Sequence, residues 1–473
     1  MDPDIRLRFE QAGQGHVFRF FDFLTQSEQE ELLQEASSLD LDEIAYLVKT
    51  LVLGDVPDHV DAAGEIQPAS YVHVPAEGGS LAEWNEARRQ GEAALRQGRV
   101  AAFVVAGGQG TRLGFDAPKG TFPASAIRKA SLFQIFAEKI RAASRRYGVG
   151  IPWFIMTSRL NHEATVSYFE SNQFFGLPKD DVFFLTQGVM PAVDLQGRIL
   201  LEAKHRIALS PDGHGGSLRA LVRSGAVDFM KSRGVDLLSY FQVDNPLVRC
   251  LDPEFIGFHL LGGSELSSKA CLKAFGEEKI GSFVMRQGRM EVIEYSDLPP
   301  ALAQARDSDG RLTYRAGSIA IHIFSRSLVE RLGSARPGER TLPFHRALKK
   351  VPALDDSGNA VRPTEPNAVK FETFVFDAIP LAQDPVVVQT LRENEFSPIK
   401  NRDGSDSPET SRNDQLRQFA RWAHEAGLDI PTDPSGLPGF DFEISPLYAD
   451  SAEAFRDRIR ESRPKLEPGT ILI

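Results

Sequence analysis

The sequence predicts an α/β fold built on a central, mostly parallel sheet. Three observations lead there. Val100-Ala101-Ala102-Phe103-Val104-Val105-Ala106 is a continuous apolar run without alternation, the pattern of a strand buried on both faces. Further strand-length runs at 151–157, 182–186 and 237–243 alternate with stretches of helical spacing, as βαβ units do. A glycine-rich turn, Ala106-Gly107-Gly108-Gln109-Gly110-Thr111-Arg112-Leu113-Gly114, leaves the first strand at the end where open α/β sheets bind ligands.

Taken in chain order, residues 1–98 read as a helical N-terminal subdomain. Thr25 and Glu28 have capping-box spacing, in which each side chain satisfies a free helix N–H. Leu32, Leu33 and Ala36 share a face, Ile44, Leu47, Val48 and Leu51 repeat it, and Trp84, Ala87, Ala94 and Leu95 mark another amphipathic run. The stretch 54–70, rich in Pro, Gly and Asp, connects them. Residues 99–400 form the α/β domain. Its helices are expected from Ser131, with Leu132, Ile135, Phe136, Lys139, Ile140 and Ala143 at helical spacing, at 163–169 and at 218–231. Short strands at 284–295, 319–324 and 371–376 belong to a mixed region. The polar stretch 400–414 marks a boundary, and residues 401–473, with a helix at 415–426, form a small C-terminal subdomain.

Composition narrows the function. The chain has 473 residues, 42% hydrophobic and 25% charged, which is ordinary globular usage with ample length for a core. Its net charge of −11 argues against general nucleic-acid or anionic-membrane binding, yet leaves room for a local basic pocket. Two cysteines, Cys250 and Cys271, make neither a disulfide framework nor a cysteine-type zinc site, so a reducing cytoplasm is the simplest compartment. No targeting signal is visible and no run of about 18 apolar residues occurs. His205, His214, His259, His322 and His345 lack paired ligand spacing, and Phe133, Phe136, Phe154 and Phe169 sit on apolar faces as core residues.

The glycine-rich turn carries the chemistry. Glycines let backbone N–H groups approach an anion or a base edge with no Cβ in the way. A P-loop would end in Gly-Lys-Ser/Thr, and a dinucleotide fingerprint would place its third glycine one residue before Gly114. Arg112 and Lys119 add two cations just beyond. Against a tight turn with incidental charges, the combination of strand, glycines and cations favours a nucleotide or phosphate loop. For Asp244, near the end of the 237–243 run, a turn before Pro246 competes with a ligand role.

The turn, followed by Pro118-Lys119-Gly120, resembles the signature of eukaryotic-type UDP-N-acetylglucosamine pyrophosphorylases, within the UTP:sugar-1-phosphate uridylyltransferase family. The resemblance continues in family order through Gln187-Gly188-Val189-Met190-Pro191-Ala192, Ser210-Pro211-Asp212-Gly213-His214-Gly215-Gly216 and Gln242-Val243-Asp244-Asn245-Pro246. It reaches on through Val292-Ile293-Glu294-Tyr295-Ser296, Val369-Lys370-Phe371-Glu372 and Glu395-Phe396-Ser397-Pro398-Ile399-Lys400-Asn401.

The resemblance implies a Rossmann-like, nucleotide-diphospho-sugar transferase fold that joins UTP and a hexose-1-phosphate, giving a UDP-sugar and diphosphate with Mg²⁺. No protein partner is implied. Ala106, Gly107 and Gly108 would hold uridine by their backbone, Gln187 would read uracil, and Gly213 would approach the nucleoside. Arg112 and Lys119 would clamp the triphosphate, and Lys370 and Lys400 would neutralise the reacting phosphates. Asp244 would bind the ribose–phosphate side or the Mg²⁺, and Glu294 and His214 would face the sugar. Such chemistry needs cations: two unit charges about 4 Å apart repel by roughly 4 kcal/mol at an effective dielectric of 20.

The departures concern the sugar. His214 stands where the acetylated-sugar enzymes have Asn facing the N-acetyl group, and Arg315-Ala316-Gly317-Ser318-Ile319-Ala320 replaces Asn-Ala-Gly-Asn-Ile-Ala. Lost polar partners weaken selection for an acetamide, which leaves GlcNAc-1-phosphate, glucose-1-phosphate, galactose-1-phosphate or a mixed preference open. A packing role for His214 is equally open. Two alternatives come from other classes: a non-catalytic UDP-sugar-binding regulator, disfavoured by the retained cations, and a dinucleotide-dependent oxidoreductase, disfavoured by the displaced Gly114.

Overall fold

A computed structural model describes residues 4–54, 66–335, 339–462 and 464–473. Most of the connection expected at 54–70 lies outside the described residues, which resume at its short terminal strand. The chain divides into two compact units. One takes residues 1–63, 187–219 and 332–381, and the other takes 64–186, 220–331 and 382–473. These units cut across the boundaries expected at 98 and 400.

The larger unit carries a ten-stranded sheet. Its strands are β1 (Ile66–Pro68), β2 (Val100–Val105), β3 (Trp153–Thr157), β4 (Val182–Thr186), β5 (Leu237–Gln242), β6 (Leu266–Leu272), β7 (Ser282–Arg286), β8 (Arg289–Ile293), β9 (Ala316–Ser325) and β10 (Val386–Gln389). One path runs β1-β7-β9-β5-β2-β3-β4, and β6 joins β9 to β10. β5, β2, β3 and β4 pair in parallel, as do β6 and β10. The long β9 runs antiparallel to both β5 and β6. The carboxyl ends of β2, β3, β4, β5, β6 and β10 therefore all lie at one edge of the sheet, where ligands of such folds bind.

All six residues of β2 are buried, as an unalternating apolar run requires. Helices α1 (Leu81–Arg96), α2 (Leu132–Tyr147) and α3 (Pro253–Leu261) belong to this unit. Phe133, Phe136 and Phe169 pack with Trp153 and Ile155 in the main core, and Phe154 is equally buried. Helices α1 and α3 approach so closely that a Cβ on Gly257 would lie 1.7 Å from the Ala87 carbonyl oxygen.

Several elements differ from expectation for local reasons. The helix expected at 218–231 is two helices, Ser217–Arg223 and Ala226–Ser232, separated at Ser224-Gly225. The strand expected at 284–295 is the β7–β8 hairpin, which turns at Gln287-Gly288, both at positive φ. The 371–376 strand is the end of Ala368–Thr373, after which the chain coils into Val375–Leu381. The stretch 400–414, expected to mark a boundary, is partly helical: Ser407 caps a helix that runs Pro408–Glu425, with proline at a first-turn position that needs no N–H. The C-terminal residues gather Leu416, Phe419, Phe442, Phe455 and Ile459 around their own core, and Glu443 accepts from Ile127 N–H, Arg128 N–H and the Arg128 guanidinium.

In the smaller unit the capping box at Thr25 and Glu28 starts the helix Gln26–Ser37. Ile5, Phe9, Leu32 and Ile44 share a core with Met190, Val193, Ile207 and Phe371, so the first helices are not a self-contained layer. Strands Phe344–Lys349, Ala368–Thr373 and Val193–Asp194 form an antiparallel sheet.

Candidate active site

The glycine-rich turn grows directly from the carboxyl end of β2. Ala106 is buried, and its N–H donates to the Met156 carbonyl at 2.7 Å, holding the turn to β3. Gly107 is half-buried and Gly108 is exposed, so their backbone is accessible. The turn folds back on itself. Gly110 N–H donates to Ala117 O at 2.9 Å, and Lys119 N–H donates to Gly108 O at 3.1 Å. That return places the Lys119 side chain against β5, where Nζ lies 3.5 Å from Asp244 Oδ2. Arg112 is exposed and makes no ion pair or hydrogen bond among the described residues.

Asp244 follows β5 by two residues. Its carbonyl accepts the Ile399 N–H at 2.8 Å, which brings the backbone of the Lys400 segment to this strand end, with Lys400 Nζ 5.7 Å from the Phe396 ring centroid. Asn245 makes this junction rigid. Its buried amide donates to Glu395 O at 2.6 Å and accepts from Ser397 N–H at 3.1 Å and Leu247 N–H at 3.3 Å. Lys139 on α2 adds a second brace, donating to Pro246 O at 2.5 Å and Val248 O at 2.7 Å. Burial lowers the pKa of its ammonium. The larger unit thus gathers Ala106, Gly107, Gly108, Lys119, Asp244 and Lys400. Glu294 sits one residue past β8, half-buried.

Sequence reasoning missed Asn161. This buried residue, beyond the end of β3, donates to Ala106 O at 3.0 Å and Gly108 O at 3.3 Å while accepting from Ser158 N–H at 2.8 Å. It fixes the Ala106 and Gly108 carbonyls, and among the described residues the Gly107 and Gly108 N–H groups make no hydrogen bond. An asparagine just after a buried strand and just before a helix was the available signal.

The smaller unit brings together another set. Gln187 Nε2 donates to Gly213 O at 2.8 Å. Gly213 has φ +82°, and a Cβ there would lie 2.2 Å from the Thr373 carbonyl oxygen, so no other residue fits. Thr373 N–H in turn donates to Asp212 O at 2.8 Å, tying this turn to the strand that carries Lys370. His214 Nδ1 accepts the Val375 N–H at 3.1 Å, and its ring packs against Phe374 and Phe376. Burial lowers its pKa to about 4, so the imidazole is neutral at physiological pH. With Nδ1 used as acceptor, the proton is on Nε2, which remains a donor.

Among the described residues no group of three or more His, Cys, Asp or Glu side chains could hold a metal. A divalent cation here would have Asp244 as its protein carboxylate. Mg²⁺ accepts such a site, because it binds through one or two carboxylates completed by substrate phosphates and water. No helix among the described residues is long and apolar enough to cross a membrane.

This sheet, with a glycine turn and a Lys–Asp pair at its carboxyl edge, defines a nucleotidyltransferase. The family model described as UTP–glucose-1-phosphate uridylyltransferase matches residues 65–405, and the chain belongs to that family. It is 38% identical over 482 residues to the mouse UDP-N-acetylhexosamine pyrophosphorylase-like protein 1, covering 96% of this chain and 94% of that one. It is 36% identical over 445 residues to the UDP-N-acetylglucosamine pyrophosphorylase of Saccharomyces cerevisiae, covering 90% and 92%. The crystal structure of the UDP-N-acetylglucosamine pyrophosphorylase of Trypanosoma brucei superimposes with a TM-score of 0.81 at 25% identity, covering 99% and 97% of the two chains.

Proposed function

We propose that the protein transfers uridylyl from UTP to a hexose-1-phosphate, with GlcNAc-1-phosphate as the leading acceptor, releasing diphosphate. One observation carries the residue roles: Lys119, Asp244 and the Lys400 segment converge at the carboxyl end of β5, beside the turn that leaves β2. The sugar-phosphate oxygen attacks the α-phosphorus of UTP and diphosphate leaves in line, so no protein nucleophile is required. Ala106, Gly107 and Gly108 hold uridine, Gln187 reads the uracil edge and Gly213 lies against the nucleoside. Arg112 and Lys119 stabilise the triphosphate and the departing charge, while Lys370 and Lys400 offset repulsion between the reacting phosphates. Asp244 holds Mg²⁺, which supplies further charge neutralisation when bound.

Glu294 and His214 contact the sugar. His214 keeps one donor, Nε2–H, where the acetylated-sugar enzymes have asparagine, and that favours continued recognition of a carbonyl or hydroxyl oxygen. A glucose- or galactose-1-phosphate preference is the second reading, favoured by the loss of asparagine at 315 and 318. The test is diphosphate release from UTP and Mg²⁺ with GlcNAc-1-phosphate, GalNAc-1-phosphate, glucose-1-phosphate and galactose-1-phosphate in separate reactions. GlcNAc-1-phosphate gives the highest kcat/KM, and Lys119→Met lowers it with every acceptor. No release with any of the four refutes the catalytic reading, and an unchanged Lys119→Met refutes the role given to Lys119.

A further inference from the structure

Lys273 is the first residue past the carboxyl end of β6, and its side chain has no role in the site described so far. The residue is only 7% exposed, and Nζ is buried with no hydrogen-bond partner. A buried ammonium with no acceptor is costly to keep, and such a group in a native protein calls for a partner from outside the chain, a ligand, an ion or water. Its backbone is fixed: Lys273 N–H donates to Arg315 O at 2.8 Å, directly across from β9.

The neighbours leave the ammonium available. Glu278 and Glu294 both act on Lys273 electrostatically, without an ion pair to it. Glu278 is already engaged by the Arg392 guanidinium and by the Ala274 N–H. The guanidinium of Arg315 is held by Asp307, the Tyr71 hydroxyl and Leu312 O. A second orphan lies close by in the ladder. Ser282 Oγ is buried without a partner, and Ser282 pairs with Gly317, two residues along from Arg315.

Position in the sheet says what completes Lys273. β6 is two strands from β5, with β9 between them, and its carboxyl end shares the edge that carries Asp244. Strands lie about 4.8 Å apart, so the end of β6 is displaced by roughly 10 Å from the end of β5. Along this edge the uridine turn leaves β2 and Asp244 follows β5 on its neighbour. On the uridylyl-transfer reading, β9 and β6 are the next places in line for an acceptor that extends beyond its phosphate. Glu294, the sugar-hydroxyl residue, acts on the same ammonium.

We propose that Lys273 is a sugar-binding residue, donating hydrogen bonds to the oxygens of the hexose ring or its acyl substituent in the hexose-1-phosphate. This rests on the uridylyl-transfer reading above. Lys273→Met removes the donors and keeps the stem, and Lys273→Gln is a second variant that keeps a neutral donor. In diphosphate-release assays the Met variant raises KM for the sugar-1-phosphate at least tenfold and leaves KM for UTP within twofold. By calorimetry the same variant binds UDP-GlcNAc at least tenfold more weakly and UDP unchanged. Its melting temperature does not fall, since no folded-state partner of the ammonium is lost. The Gln variant lies between wild type and Met in both sugar readouts. If sugar KM and UDP-GlcNAc affinity both stay within twofold in either variant, or the only change is a lower melting temperature, the proposal is overturned. Inactivity of the wild-type protein towards all four sugar phosphates is a separate result, which strikes the uridylyl-transfer reading itself.

Discussion

Lys269→Met tests how the segment bearing Lys400 is held. Lys269 lies in β6, where the β6–β9 ladder slips between Ser268 and Ala270. Its ammonium is 2.5 Å from Asp252 Oδ2 and 2.5 Å from Glu395 Oε1. The three side chains are 3%, 5% and 1% exposed, so the group is excluded from water and screening is weak. Removing Lys269 leaves Asp252 with Arg249 at 3.3 Å, but Glu395 loses its ion-pair partner. Breaking a buried pair in this way costs about 3–5 kcal/mol. The larger unit has about 330 residues, and at about 2.1 cal/mol/K per residue its unfolding entropy is about 0.7 kcal/mol/K. A loss of about 4 kcal/mol therefore lowers its melting temperature by about 6 °C. Differential scanning calorimetry reads this directly. The double variant Lys269→Met/Glu395→Gln, which also removes the stranded charge, recovers at least half of the shift. A fall of less than 2 °C in the single variant, or no recovery in the double, would show that the triad does not brace this segment.

Asn245→Leu keeps the volume but removes the two side-chain bonds that tie the residue after Asp244 to the 395–400 segment, together with the local bond from Leu247 N–H, and kcat/KM falls on the order of 10- to 100-fold while UTP still binds. Gly257→Ala forces α1 and α3 apart and destabilises by about 1–3 kcal/mol in denaturant titration. Acid also loosens the larger unit. Burial alone would raise the carboxyl pKa values of Asp252 and Glu138, but Arg249 and Lys269, and bonds from Arg128, hold them below the ordinary range. Their contribution is complete above about pH 5, where the unfolded chain is also ionised, and is lost as pH falls towards the folded values. The melting temperature therefore drops steeply below about pH 4. Arg315→Ala opens an ion pair whose side chains are 21% and 29% exposed, worth at most about 1 kcal/mol, and leaves the ratio of kcat/KM for GlcNAc-1-phosphate over glucose-1-phosphate within threefold.

Local pattern revealed β2 and its turn, because a doubly buried strand and a glycine cluster are both contiguous. The pairing of Lys119 with Asp244 was not legible, since 125 residues separate them and only the parallel β2–β5 register unites them. Lys139 illustrates the same limit. It reads as one more position on the α2 apolar face, whereas that burial is tolerable because two carbonyls after Asp244 accept hydrogen bonds from its ammonium. Asn161 was passed over because an asparagine before a helix has an ordinary local reading as a cap. Here it holds the N-cap position without a side-chain cap bond, and turns its amide towards the glycine-rich turn instead.

The sugar end resisted for a different reason. Substituting asparagine at 214, 315 and 318 looks, in sequence, like the removal of three polar contacts. In the fold the three positions are not equivalent. His214 keeps a donor because the Val375 N–H fixes which nitrogen is protonated. Arg315 gains a charge but directs it to Asp307 and Tyr71, and only its carbonyl meets the neighbouring strand, at Lys273 N–H. The Arg315 cation is thus committed to Asp307 and Tyr71, while Lys273, a lysine that no motif singles out, is buried across from its backbone with no hydrogen-bond partner for the ammonium. Under the proposed reading, acceptor choice would follow which donors remain uncommitted after folding, a property of the hydrogen-bond network that residue identities at the three substituted positions do not carry.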